Sequence, residues 1–354
     1  MPQLAIANQV SFFAYRVGTI LKSFKTLYTL PQEKIDAFLN SYDIYDHDWA
    51  NEEEMIRAMG PEYSKEVGRK LCDYYSVLNH LCSLGQVEKM YIPPIMDLSK
   101  GIMANQVLFE KKMAKDLGLK PGDHCMDIGC GRGRIANHMA SHTGAHVTGM
   151  NIDADQVASA RRFAIGKNMT QLCEFKIHDM NNLPLPYADN SMDAGYQVQA
   201  FSLSKNLEKL FADLYRILKP GGKMACLDWF RLDKYDPKNP EHADLMRRIK
   251  PLIGAIGTPS IEEFTRAMEK AGFKVIINEN ASINGLQAPL IENADKMFTF
   301  LNRLINGCVR CKILPKHFEL LFNRLTKDGE AFVEADRKGL VTTCHYVVGQ
   351  KPLS

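Results

Sequence analysis

The stretch Asp127-Ile128-Gly129-Cys130-Gly131-Arg132-Gly133-Arg134 follows an apolar strand pattern at Cys125–Ile128 and leads directly into a helical one. Three alternate glycines let a ligand lie against bare backbone. The helix behind them offers free N–H groups and partial positive charge, so a nucleotide-like ligand is expected here. The loop alone leaves two chemistries open, because Gly131-Arg132-Gly133-Arg134-Ile135-Ala136 also satisfies the dinucleotide pattern G-x-G-x-x-G/A, with Asp153 about 20 residues on.

Outward from this loop, short apolar runs alternate with helix-length amphipathic segments, the pattern of βαβ units and a mostly parallel sheet. Strands are expected at Cys125–Ile128, His146–Met150, Glu174–His178, Ala194–Val198, Lys223–Leu227 and Lys274–Glu279, with a closing strand-like run at 340–348. A helix at Leu207–Leu218 stops at Lys219-Pro220-Gly221-Gly222, and another starts at Ser260, with Glu263 three residues later, and ends at Gly272. Residues 1–105 read as a helical N-terminal cap interrupted at Asn51-Glu52-Glu53-Glu54 and Gly60-Pro61. The core α/β domain covers 106–285, and a mostly helical C-terminal module covers 286–354.

Context favours one ligand. A dinucleotide site has no need of an acid in the strand before the glycines, whereas Asp127 suits the cationic amino group of S-adenosylmethionine. The second strand ends at Asn151, with Gln156 one turn into the next helix, both fitted to ribose hydroxyls. The third ends at His178-Asp179-Met180, where a carboxylate can accept from an adenine amino group. Polar groups at successive strand ends match the carboxyl-edge rule for open α/β sheets. The expected cofactor set is Asp127, Gly129, Gly131, Gly133, Asn151, Gln156, His178, Asp179 and Gln197, with S-adenosylmethionine as cofactor and no metal.

These residues resemble the class I methyltransferases: D-x-G-x-G-x-G, a strand-end acid 52 positions later, then Leu218-Lys219-Pro220-Gly221-Gly222. Two further stretches resemble the sterol methyltransferase family. One is Asp228-Trp229-Phe230 with Asp233-Lys234-Tyr235-Asp236 and Asn239-Pro240-Glu241-His242, a polar run with no evident core-packing reason. The other is the C-terminal run from Gly329 through Gly339-Leu340 and Tyr346 to Lys351-Pro352. The match runs from about residue 105 to the end. It implies a Rossmann-like class I fold, a sterol or sterol-like lipophilic acceptor and a sterol-methyltransferase-type C-terminal module.

The chain departs from the family pattern in two places. The family's N-terminal aromatic motif has no counterpart, and its Glu-Ala-Thr-Cys-His stretch is here Gln199-Ala200-Phe201-Ser202-Leu203. Methylating a side-chain alkene at sterol carbon 24 makes a carbocation that must be stabilised and then deprotonated, and Gln199 and Leu203 supply neither charge nor base. The combination resembles a divergent branch that methylates the sterol nucleus at the 4-position, where an enolate or enol beside a 3-ketone is the nucleophile. Candidate catalytic groups are Tyr196, Asp228 and His345, with Tyr74 and Tyr91 in reserve. Carbon-24 methylation, another lipophilic acceptor, a silent sterol-binding protein and a nicotinamide-dependent oxidoreductase are the competing readings.

Composition narrows the partners. The 354 residues are 45% hydrophobic and 24% charged, enough for a full core, and the formal charge of +3 is too balanced for a nucleic-acid-binding stripe. Nine cysteines, an odd number in mostly apolar runs, fit reduced thiols and a cytoplasmic protein. Cys308 and Cys311 read as one helical turn of buried thiols. No apolar run reaches the ~20 residues of a membrane span. The segment holding Phe12, Phe13, Tyr15, Ile20, Leu21 and Phe24 reads as helix packing or as peripheral membrane contact. The stripe Met297, Phe298, Phe300, Leu301, Leu304 and Ile305 reads as cavity lining or core. Asp153 and Asp155 read as helix caps, and Trp229 as a substrate wall or a strand end.

Overall fold

A computed structural model of the chain describes residues 16–48, 51–85 and 87–353. In chain order, the helices before the sheet are α1 (16–28), α2 (Gln32–Asn40), α3 (Glu52–Met59), α4 (Tyr63–Leu84) and α5 (Ile102–Leu117). The alternating region follows as β1 (His124–Ile128), α6 (Arg134–Thr143), β2 (His146–Asn151), α7 (Ala154–Gly166), β3 (Cys173–Ile177), β4 (Met192–Val198), α8 (Leu207–Ile217) and β5 (Leu218–Arg231). Then come α9 (Pro240–Ile253), α10 (Ile261–Lys270), β6 (Lys274–Asn280), α11 (Ala288–Arg310), α12 (His317–Leu325), α13 (Gly329–Lys338) and β7 (Val341–Gln350).

The chain forms two compact units. One comprises residues 1–42, 69–90 and 293–327, and the other 43–68, 91–292 and 328–354, so each draws on more than one of the three stretches expected from the sequence.

The second unit holds one seven-stranded sheet in the order β3-β2-β1-β4-β5-β7-β6. All neighbours are parallel except β7, which runs antiparallel to both β5 and β6. Alternation along the strands separates two cores. Cys125, Tyr196, Leu227 and Tyr346 pack on one face, and Met126, Cys226, Phe230 and Val347 on the other. The order reverses between β1 and β4, which is where open α/β sheets bind ligands.

All seven expected strands are present, and local chemistry accounts for several boundaries. Ser260 and Glu263 form the reciprocal capping box that starts α10. The acidic run at 52–54 is a helix start rather than an interruption. Asn51 accepts from the Glu54 N–H, and three carboxylates sit in the first turn, where the helix dipole favours negative charge. The segment before α9 also has a structural reason after all. Asn239 caps the helix, Pro240 fills the first position, and Glu241 adds charge in the first turn and an ion pair to Lys338. Helix α8 ends at Ile217, one residue earlier than expected, and β5 takes in the Lys219–Gly222 stretch, where Gly221 N–H donates to Lys351 O.

The first unit is all helical in its described residues. Phe38 stacks on Tyr74, with ring centroids 6.2 Å apart, and the Arg324 guanidinium lies 3.6 Å from the Tyr42 ring centre. Tyr74 is thus an aromatic core residue of this unit, with 2% of its surface exposed. Cys311 is exposed and Cys308 partly so, against the expected buried pair.

Candidate active site

The glycine loop leaves β1 and enters α6 with Gly129, Gly131 and Gly133 all at positive φ (81°, 51° and 70°), a region L side chains rarely adopt. The approach is also close. A Cβ on Gly133 would lie 2.7 Å from Ala160 Cβ and from the Phe175 ring, and one on Gly129 would lie 2.6 Å from Ala200 Cβ. At Gly131 the nearest atom would be the Gln156 amide oxygen at 3.3 Å. The tightness at Gly129 and Gly133 is internal packing, whereas Gly131 is approached only by the far end of the Gln156 side chain. The N-cap residue of α6 is Gly133, which brings no capping side chain, so the positive end of the helix dipole faces the loop.

The parallel register carries the remaining expected cofactor residues to the same edge. Ile128 is level with Met150 on β2 and with Gln197 on β4, and Asn151 is level with Ile177 on β3. Asn151 Oδ1 accepts from Asp153 N–H, and Asp153 in turn caps α7 by accepting from Asp155 and Gln156 N–H. Past β3, His178 N–H donates to Asn151 O, and Asp179 Oδ1 accepts from Asn181 N–H. Gln197 is fully buried. Its Oε1 accepts from Ala200 N–H, while its amide nitrogen has no hydrogen-bond partner. Asp127 is buried, and loss of hydration pushes its carboxyl up to about 7 against the lowering effect of a 3.0 Å bond from Tyr196 OH. Three positive-φ glycines, an uncapped helix and a ring of strand-end polar groups fit an adenosyl ligand bearing a cationic amino group. Asn151 and Gln156 would meet the ribose, Asp179 the adenine and Asp127 the amino group.

The candidate catalytic side chains do not form one cluster. Strand alternation puts Asp127 and Tyr196 on one face, and Gln197, Asp228 and His345 on the other. Asp228 accepts from Phe201 N–H (2.9 Å) and Trp229 N–H (2.8 Å), and burial raises it to about 7. It lies on β5, two strands from β1, or roughly 10 Å at the usual strand spacing. His345 is level with it on β7. Burial lowers its pKa to about 4, its Nε2 lies 2.6 Å from Asn278 Oδ1, and its ring meets Phe230 edge-on. Trp229 is buried and donates to Gly257 O, which makes it a packed strand residue.

Two features of this edge were not legible in the sequence. The extended stretch Tyr91–Ile95 is strapped down by amide side chains. Gln199 bonds both Ile92 N–H and Ile92 O, Gln287 bonds Pro93 O, and Ser282 accepts from Ile95 N–H. Tyr91 is buried and donates to Glu110 (2.8 Å), which also bonds His138. The second feature is residues 52–68. Glu52 pairs with Lys205 after β4, and Gly68 approaches Ile152 after β2, so this segment reaches the carboxyl edge on both sides of β1. A glycine in a helix interior costs about 1 kcal/mol, and Gly68 was the available signal.

A model of the methyltransferase domain matches residues 126–226. The sterol 24-C-methyltransferase ERG6B of Gibberella zeae is 30% identical over 264 residues, 69% of this chain and 69% of that protein. The botryococcene C-methyltransferase of Botryococcus braunii is 30% identical over 258 residues, 70% of this chain and 67% of that protein. Among solved structures, the [4+2]-cyclase SpnF superposes with a TM-score of 0.64 at 18% identity, over 82% of this chain and 97% of that one, a likeness of fold. With the sheet order, the glycine loop and two relatives of this extent in agreement, the chain is an S-adenosylmethionine-dependent methyltransferase and belongs to the sterol methyltransferase family.

Proposed function

We propose that this enzyme transfers a methyl group from S-adenosylmethionine to a ring carbon of a sterol, at the 4-position of the nucleus. The sterol rests on the relatives, and the position rests on Gln199. Where the family carries an acid, this side chain is consumed as a strap. Its Nε2 donates to Ile92 O (2.8 Å) and Thr343 O (2.7 Å), and its Oε1 accepts from Ile92 N–H (3.0 Å). It offers a side-chain cation no charge, and Leu203 offers none either.

Methylation beside a 3-ketone needs no carbocation stabiliser. A base would take the proton from carbon 4, and S-adenosylmethionine held at the glycine loop would supply the methyl to the resulting enolate carbon, its sulfonium sulfur taking the bonding pair and leaving as the thioether of S-adenosylhomocysteine. Asp228, poised near 7, suits the base, because proton transfer is most effective when the pKa lies close to the working pH. The Phe201 and Trp229 N–H groups fix the carboxylate in place, and these together with the Gln197 side chain and the Ser202 backbone oppose the upward push of burial.

The relatives favour a second reading, since ERG6B is named for carbon 24. Incubation with methyl-labelled S-adenosylmethionine and a panel of 3-keto, 3-hydroxy and side-chain-unsaturated sterols, with products located by mass spectrometry, separates the two. Label in ring A is expected, and label in the side chain overturns the 4-position. Asp228→Asn should bind S-adenosylhomocysteine as wild type does yet lose about 100-fold or more in rate.

A further inference from the structure

The stripe from Met297 to Ile305 does not all face inward. Phe298 packs on Gly85 and Ile305 is buried, whereas Met297 (41%), Phe300 (70%) and Leu304 (55%) are exposed. Within residues 293–310 the exposed positions are Asn293, Lys296, Met297, Phe300, Arg303, Leu304, Gly307 and Arg310, spaced by threes and fours along one face of α11. No carboxylate is among them, and no ion pair engages Lys296, Arg303 or Arg310 among the described residues. Large apolar and cationic side chains therefore alternate on a single helical face.

The unit that carries this face is charged to match. Residues 1–42, 69–90 and 293–327 hold fourteen Lys and Arg against six Asp and Glu, while the rest of the chain holds thirty against thirty-five. A formal charge of +3 for the whole chain conceals +8 on one unit and −5 on the other. Helix α1, in the same unit, repeats the pattern. Leu21 (63%) and Tyr28 (47%) are exposed, as are Lys22 and Lys25, and α1 has no carboxylate. The loop before α12 adds exposed Ile313 (66%) and Lys312.

We propose that this face of α11 docks on the surface of an anionic phospholipid bilayer, with Phe300 and Leu304 entering the interfacial layer and Lys296, Arg303 and Arg310 meeting the headgroups. An apolar protein partner would not call for unopposed cations along the same face, and a second copy of this basic unit would be repelled. An anionic lipid surface satisfies both halves of the pattern, as for other basic amphipathic helices. Among the described residues no helix is long and apolar enough to cross a membrane, so this contact lies in the interface plane. The proposal stands apart from the methyl acceptor and does not depend on it. Of the N-terminal side chains with an expected membrane role, Phe12, Phe13 and Tyr15 lie outside the described residues, and the α11 face carries the argument without them.

The test is sedimentation of the full chain with vesicles of phosphatidylcholine alone or phosphatidylcholine with phosphatidylserine. Wild type should bind the anionic vesicles at least tenfold more tightly, and binding should fall steeply between 0.1 and 0.5 M salt as the screening length shrinks to below about 10 Å. Arg303→Glu with Arg310→Glu should lower binding by about 25-fold or more, at about fivefold per cation removed from an anionic surface. Phe300→Ser with Leu304→Ser should lower it by about tenfold or more. All four positions are exposed, so thermal midpoint and S-adenosylhomocysteine binding should stay at wild-type values and show that the variants are folded. Equal binding to neutral vesicles, binding unchanged in both variants, or a wild-type dimer that the Phe300/Leu304 variant dissolves would each overturn the proposal.

Discussion

The Tyr196 hydroxyl donates a 3.0 Å hydrogen bond to Oδ2 of Asp127, tying β4 to β1 directly beneath the glycine loop. Both residues are buried, and the two strands pair them level with each other. A residue first considered as a catalytic base therefore holds the carboxylate that would meet the cofactor's amino group.

Removing that donor should matter most where Asp127 is ionised. Tyr196→Phe is expected to cost about 1.5–3 kcal/mol at pH 8, where a charged acceptor loses its bond, and about 1 kcal/mol at pH 5, where the acid is protonated. Urea denaturation at the two pH values measures the difference, and an equal loss at both would show that Asp127 is not the partner that matters.

Burial raises Asp127 from 3.8 to about 7, so between those values the folded chain keeps a proton that the unfolded chain has released. Stability of the ligand-free protein contributed by this group therefore falls as pH rises from about 4 to about 7 and is level above. Asp228 acts in the same sense, while His345, lowered from 6.5 to about 4, acts in the opposite one. Comparison of Asp127→Asn with wild type isolates the first contribution. The gap in unfolding free energy between the two should change across that window and become constant above it.

Cofactor affinity should show the complementary trend. A cationic amino group beside Asp127 selects the carboxylate, so S-adenosylhomocysteine binding should strengthen by up to about tenfold per pH unit below 7 and then level off. Calorimetric titration from pH 5.5 to 8.5 reads this directly, and Asp127→Asn should abolish the slope.

Two of the loop glycines, Gly133 and Gly131, should fail differently. Gly133→Ala drives a methyl into Ala160 and Phe175 at 2.7 Å, and the thermal midpoint should fall by several degrees. Gly131→Ala meets only the far end of the Gln156 side chain at 3.3 Å, so beyond the strain of about 1–2 kcal/mol at its positive φ its midpoint should fall less than that of Gly133→Ala, while S-adenosylhomocysteine affinity drops about tenfold or more.

Restoring the family's acid should not restore its chemistry. Gln199→Glu removes both donors to Ile92 O and Thr343 O and sets a carboxylate against two carbonyls, at about 1–3 kcal/mol for each acceptor left unpaired. A lower melting temperature with no side-chain methylation is expected. A stable variant that methylates carbon 24 would show that the strap is dispensable.

Much of this molecule was set by local sequence. Strand alternation, the glycine run, the Ser260 box and the strand-end positions of the polar groups from Asp127 to Asp179 depend on neighbours a few residues away, so the sheet's components and the polar groups at its carboxyl edge could be read before any contact was known. Tertiary structure decided whatever depends on distant partners. It divided Tyr196 from Asp228 and His345, because a side chain's face depends on register with strands far along the chain. It made Gln199 a strap through partners 107 and 144 residues away. It turned half of the α11 stripe outward, since helical period fixes which residues share a face but not which face meets the core. It also sorted a nearly neutral chain into a basic unit and an acidic one, because net charge is a sum over residues and its distribution is a property of the fold.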